Sequence, residues 1–265
     1  MPITGRPASI FDETAFRRFE DRTYAHLKKY FPRHCRLLRE PRVRLVIRRG
    51  WQKAGHYGLT DERCARSYVE CMCLLGSGFD TDVLLPWAAE ILHDRVTSNA
   101  LARADRLHGR VWDYIDHVAR DYRDAAGQPT TARFVEEIRT LRRENLQSVP
   151  DHGFPEFAHS LARRLERIFP AKCGYVGQER VYRLISHARA KARRYGVTSE
   201  RGVILFAGEM FVLGGGFDVD PLLPWASRAL NESRITDPAK RVEHLLSASV
   251  TALRQWWDSA GGRGD

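Results

Sequence analysis

Apolar residues fall along this chain at helical spacing. Val43, Val46, Ile47, Ala54 and Tyr57 recur at intervals of three, four and seven, the stripe of an amphipathic helix with one face in a core. The same stripe returns as Val181, Leu184, Ile185, Ala192 and Tyr195. Upstream, the helix formers of Glu13 to Tyr30 run up to Phe31-Pro32, where proline cannot continue a helix, and Glu156 to Phe169 repeats this. Downstream, Thr60 and Thr198 stand where N-caps are expected, with Asp61, Glu62 and Glu200 facing the positive end of the helix dipole. The helices that follow run to Leu75 and Leu213. The second of them, VILFAGEMFVL, is apolar nearly all round and is expected at the centre of a core. A short helix from each LLPWA and a last amphipathic helix, over Leu101 to Tyr122 and again over Ala239 to Trp257, complete the pattern. Alternating runs joined by Asn-Gly or Asp-Gly turns do not occur, so the predicted fold is all-α.

Every element recurs after 138 residues. GSGFDTDVLLPW (Gly76 to Trp87) returns as GGGFDVDPLLPW (Gly214 to Trp225). Phe16 and Phe19 map onto Phe154 and Phe157, Cys35 onto Cys173, Tyr57-Gly58 onto Tyr195-Gly196, and Arg103 onto Arg241. A correspondence that runs for about a hundred residues without insertion is a tandem duplication. It predicts two homologous units of about five helices each, residues 1–123 and 154–265, as a pseudo-twofold pair. Between them, 124–153 reads as a helical connector in which Thr130 or Thr131 caps a helix through Asn145.

The repeated motif carries the most tempting chemistry. Asp80 with Asp82, and Asp218 with Asp220, could divide acid and base roles or hold a hard cation in a metal-dependent hydrolase. A structural role accounts for them better: Asp220 as N-cap with Pro221 at the first helical position, and the first aspartate of each pair closing a turn beside the glycines. Gly78, Phe79, Pro86 and Trp87, with Gly216, Phe217, Pro224 and Trp225, then mark the end of one helix and the start of the next, and the structural role is preferred. Cys64, Cys71 and Cys73 lie on one predicted helix and become Gly202, Glu209 and Phe211 in the second copy, so they read as buried thiols instead of a zinc cluster. No histidine repeats, and no HExxH, GxSxG, P-loop or Cys-His signature occurs. The sequence therefore predicts a non-enzymatic protein with no catalytic residue, metal or cofactor.

Charge changes the picture further. Lys and Arg number 43 against 33 Asp and Glu, a formal charge of +10, which admits an anionic partner. Arg42, Arg44, Arg48, Arg49 and Lys53 on the second helix, and Arg180, Arg183, Arg189, Lys191 and Arg193 on its repeat, form a basic face opposite each apolar stripe. Such a face can be solvated, contact phosphates, or meet an acidic protein surface. Without a recognised nucleic-acid module or an aromatic platform, the protein partner is preferred and nucleic acid is the alternative. Five cysteines in a chain of this size favour reduced thiols in the cytoplasm. Neither a signal-peptide core nor an apolar run of membrane-spanning length is present in the sequence, so no membrane is expected.

FEDRTYAHLKKYFP (Phe19 to Pro32), YGLTDER (Tyr57 to Arg63) and LLGSGFDTDVLLPWA (Leu74 to Ala88) resemble a family of small helical bacterial proteins encoded beside effector genes of type VI secretion systems. The first copy departs from the family's FDxDPxxPWA pattern at Val83, whereas the second keeps Pro221. The resemblance implies a partner of a secreted toxin, either a chaperone or adaptor that loads it or an immunity protein that blocks it.

Overall fold

The computed structural model describes residues 11–96, 99–122 and 148–261. The helix expected in the connector lies outside them. The described residues form eleven α-helices: α1 (Phe11–Tyr30), α2 (Pro32–His56), α3 (Glu62–Leu75), α4 (Pro86–His93), α5 (Ala100–Val118), α6 (Phe154–Ile168), α7 (Pro170–Val176), α8 (Gln178–Arg194), α9 (Glu200–Leu213), α10 (Pro224–Leu230) and α11 (Pro238–Gly261). Among them the only β-type pairing is an isolated bridge between Ser148 and Ser199. The fold is all-α.

Each predicted stripe is buried. Val43, Val46, Ile47 and Ala54 of α2 pack against α1 and α3, while Val181, Leu184, Ile185 and Ala192 of α8 pack against α6 and α9. The apolar α9 is central as expected, with Leu205, Phe206, Met210 and Phe211 shielded from solvent. Each such side chain stabilises the fold by about 1.5–3 kcal/mol through burial. Cys64, Cys71 and Cys73 lie in the core as free thiols.

Three local details differ from the sequence expectation. The caps sit one residue later: the Asp61 carboxylate accepts the N–H groups of Arg63 and Cys64, and the Ser199 hydroxyl accepts that of Gly202. Thr198 instead meets Ser148 through its hydroxyl. The α5 helix stops at Val118 and continues as a 3₁₀ turn to Tyr122. Finally, Pro32 and Pro170 open helices as well as ending the preceding ones, since a proline at the first helical position lacks only an N–H that would be unpaired anyway. The second unit thereby gains a separate short helix, α7, whose counterpart in the first unit is the start of α2, before its kink at Arg39.

Helices of the two sequence repeats pack on one another. The α5 helix packs on α7, and α11, its counterpart 138 residues on, packs on α2. His34 meets the edge of Trp256 at 4.7 Å, and Lys172 lies over the Tyr114 ring at 5.9 Å.

Candidate functional site

The two glycine–aspartate turns meet, Gly76 beside Leu213 and Gly78 beside Gly216, at a seam between the two sequence repeats. Both α3 and α9 end on a glycine with positive φ, Gly76 (92°) and Gly214 (98°), a conformation that side chains resist. Space is short for one as well. A Cβ on Gly76 would stand 2.9 Å from the carbonyl oxygen of Leu213, and one on Gly214 would stand 3.2 Å from that of Leu75.

The aspartates do not hold the roles expected of them. The first of each pair does not close a local turn. Buried Asp80 accepts hydrogen bonds from the Lys53 ammonium at 2.7 Å and the Tyr57 hydroxyl at 3.0 Å, and Asp218 accepts the same pair from Lys191 and Tyr195 at 2.6 and 2.9 Å. These bonds tie each turn to the long helix behind it. Burial first, and then the neighbouring carboxylate, pushes the Tyr57 and Tyr195 phenols up to about 12. The second aspartate closes the turn. Asp82 accepts the N–H of Leu84 at 2.9 Å, and Asp220 accepts that of Leu222 at 2.8 Å. Pro221 is accordingly not the start of a helix; Pro86 and Pro224 are.

The other oxygen of each closing aspartate crosses the seam. Asp82 accepts the N–H of Gly215 at 2.7 Å, and Asp220 accepts that of Ser77 at 2.8 Å. Burial raises the Asp220 pKa, opposed by its two backbone hydrogen bonds. All four carboxylates are thus engaged within the protein. Comparison of the chain with protein families, curated proteins and solved structures gave no match, so its chemistry is argued from this geometry. Among the described residues no group of three or more His, Cys, Asp or Glu side chains is placed to hold a metal. The Cys71 and Cys73 thiols are held well above the usual range by burial, which disfavours the reactive thiolate.

The ten basic residues of the second helices divide into three kinds. Lys53 and Lys191 turn inward to the aspartates. Most of the others have intramolecular partners: Arg44 is held by Glu20, Asp21 and Glu40 at 3.2, 2.7 and 2.7 Å. Arg48 lies over the Phe16 ring and 3.9 Å from Glu20. On α8, Arg183 pairs with Glu179, Arg189 and Arg193 share Asp151, and Arg180 donates to the Val176 carbonyl. Arg42 and Arg49 remain, exposed and without an ion pair among the described residues. Exposed Leu45 stands between them, three residues after Arg42 and four before Arg49, on the same helical face. The corresponding positions on α8 are Arg180, Arg183 and His187, so the face belongs to the first unit alone.

A half-open cavity of about 550 Å³ lies along the seam, lined by both glycine turns, α2, α5, α10 and α11. Trp225 lines it, whereas its counterpart Trp87 is buried in the core. No sequence signal marked this cavity, because its walls come from segments far apart in the chain. None of the described helices is long and apolar enough to cross a membrane.

Proposed function

We propose that the protein is a non-catalytic binding partner of another protein, a type VI secretion effector, which it contacts through the Arg42–Leu45–Arg49 face. One observation carries this: two exposed arginines without an ion pair among the described residues flank an exposed leucine on a core-packed helix. Arginine is enriched among residues that dominate interface energetics, and unpaired positive charge steers an acidic partner toward its site. The resemblance in FEDRTYAHLKKYFP, YGLTDER and LLGSGFDTDVLLPWA supplies the effector class. In this reading the contact is made in the cytoplasm, with the protein acting as a loading chaperone, an adaptor or an immunity protein. The chain is then two homologous units facing one another about an approximate twofold axis, supported by the exchange of Asp82 and Asp220 across the seam.

Co-expression with the effector encoded beside it is the test. A complex that survives size exclusion, and is weakened at least roughly tenfold by Arg42→Glu with Arg49→Glu at unchanged melting temperature, supports the proposal. Absence of a complex, or a double variant that binds like the wild type, overturns it. Protection of a toxin-expressing cell then marks an immunity protein, and loss of secretion without loss of protection marks an adaptor. Binding of duplex DNA with a steep salt dependence, and no protein complex, would assign the face to nucleic acid instead.

A further inference from the structure

The seam cavity holds a cation that no carboxylate among the described residues neutralises. Lys172, on α7, is only 6% exposed and lines the cavity. Its ammonium donates one hydrogen bond, to the carbonyl of Phe211 in the last turn of α9, and lies 4.7 Å from the Phe211 ring centre. An ammonium carries three donors, and a desolvated one without a counter-charge is costly. Among the described residues it makes no ion pair. The neighbouring carboxylate, Asp121, accepts the backbone N–H groups of Ala171 and Lys172 instead. The two carboxylates of the cavity wall, Asp82 and Asp220, each take two backbone N–H groups.

The remaining wall is largely apolar, including Leu74, Ile115, Val118, Leu213, Leu222 and Leu253. The position equivalent to Lys172 is His34, which also lines the cavity; burial lowers its pKa to about 4, so it is neutral near neutral pH. Lys172 therefore presents a buried positive charge to the cavity where His34 does not, and Arg228, which also lines it, is exposed to solvent. The volume falls within the range of about 300–1,000 Å³ typical of small-molecule sites. We propose that the cavity binds an amphipathic monocarboxylate, a fatty-acid-like molecule with its chain among the leucines and its carboxylate on the Lys172 ammonium. This site is separate from the Arg42–Leu45–Arg49 face and does not depend on it.

Dodecanoate and dodecan-1-ol, titrated into the full chain below their aggregation concentrations, test the proposal. Calorimetry and tryptophan fluorescence both report, since Trp225 and Trp256 line the cavity. Dodecanoate is expected to bind at least roughly tenfold tighter than the alcohol. Lys172→Met should abolish that preference and spare the alcohol. Ala252→Phe, which fills the cavity from a half-buried position on α11, should remove both. Equal affinity of the wild type for acid and alcohol, no binding of the acid by about 1 mM, or acid binding untouched by Ala252→Phe would overturn the proposal. The acid-to-alcohol comparison on the wild type decides the matter even where Lys172→Met fails to fold.

Discussion

The carboxylate of Asp82 closes on the backbone N–H of Gly215, 133 residues away, at 2.7 Å. Its counterpart Asp220 does the same to Ser77. Removing either carboxylate leaves a half-buried N–H bare and opens a local turn as well. Asp82→Ala and Asp220→Ala should each cost about 2–3 kcal/mol in urea unfolding. The double variant should fall short of the sum, because both act on one seam. Full additivity would mean that the two bonds do not share an interface.

Lys53 and Lys191 make the same ion pair in different surroundings. The Lys191 side chain is 17% exposed and that of Lys53 36%, so water can replace the lost partner of Asp80 more readily than that of Asp218. Lys191→Met is expected to destabilise by about 3 kcal/mol, the range for stranding a buried charge. Lys53→Met should cost clearly less, since solvent screens its pair. Chemical denaturation of the two variants ranks them directly.

Backbone strain separates Arg39 from Gly177, its counterpart in the second unit. Both adopt positive φ with extended ψ, 60° and 161° at Arg39 against 84° and 151° at Gly177. Glycine adopts this conformation freely and arginine does not. Arg39→Gly should raise stability by about 1 kcal/mol, and Gly177→Ala should lower it by about as much. A thermal melt showing Arg39→Gly less stable than wild type would mean that the arginine side chain compensates for the strain.

Glu209 and His34 give the stability opposite slopes with pH. Glu209 is fully buried, hydrogen-bonded to the Ser249 hydroxyl, and burial raises its pKa to about 7 from 4.5. Between those values the folded protein holds a proton that the unfolded chain has lost, so stability falls as pH rises. His34 is lowered from 6.5 to about 4, so there the unfolded chain holds the extra proton and stability rises with pH. Glu209→Gln should therefore gain on the wild type as pH increases from 4.5 to 7, by about 3 kcal/mol over the window. His34→Gln should gain as pH falls below 6.5. Urea midpoints at several pH values check both signs.

Much of the fold was legible because the helices announce themselves locally. Val43 to Tyr57 and Val181 to Tyr195 show their stripe within a few turns, and the glycine after Leu75 or Leu213 ends its helix whatever lies beyond. The caps were misplaced by one residue because Thr60-Asp61 and Thr198-Ser199 each offer two adjacent side chains able to cap, and only the register of the turn chooses between them. Of the candidate site, the sequence found the aspartates but not their partners. Asp80 looks to Lys53 and Asp82 to Gly215, partners 27 and 133 positions away, and neither is visible to reasoning about neighbours. The basic faces were legible as charge, yet not which members were neutralised. Arg44 and Arg193 find acids on other segments, and among the described residues Arg42 and Arg49 do not.

The bonds that Asp82 and Asp220 send across the seam would serve two separate chains as well as two halves of one. Each half offers its carboxylate outward and leaves its own glycine turn to be completed from the other side. Joining the halves in one chain sets the concentration at which they encounter each other, whatever the abundance of the protein. The seam can therefore be far weaker than a free dimer would need and still stay closed.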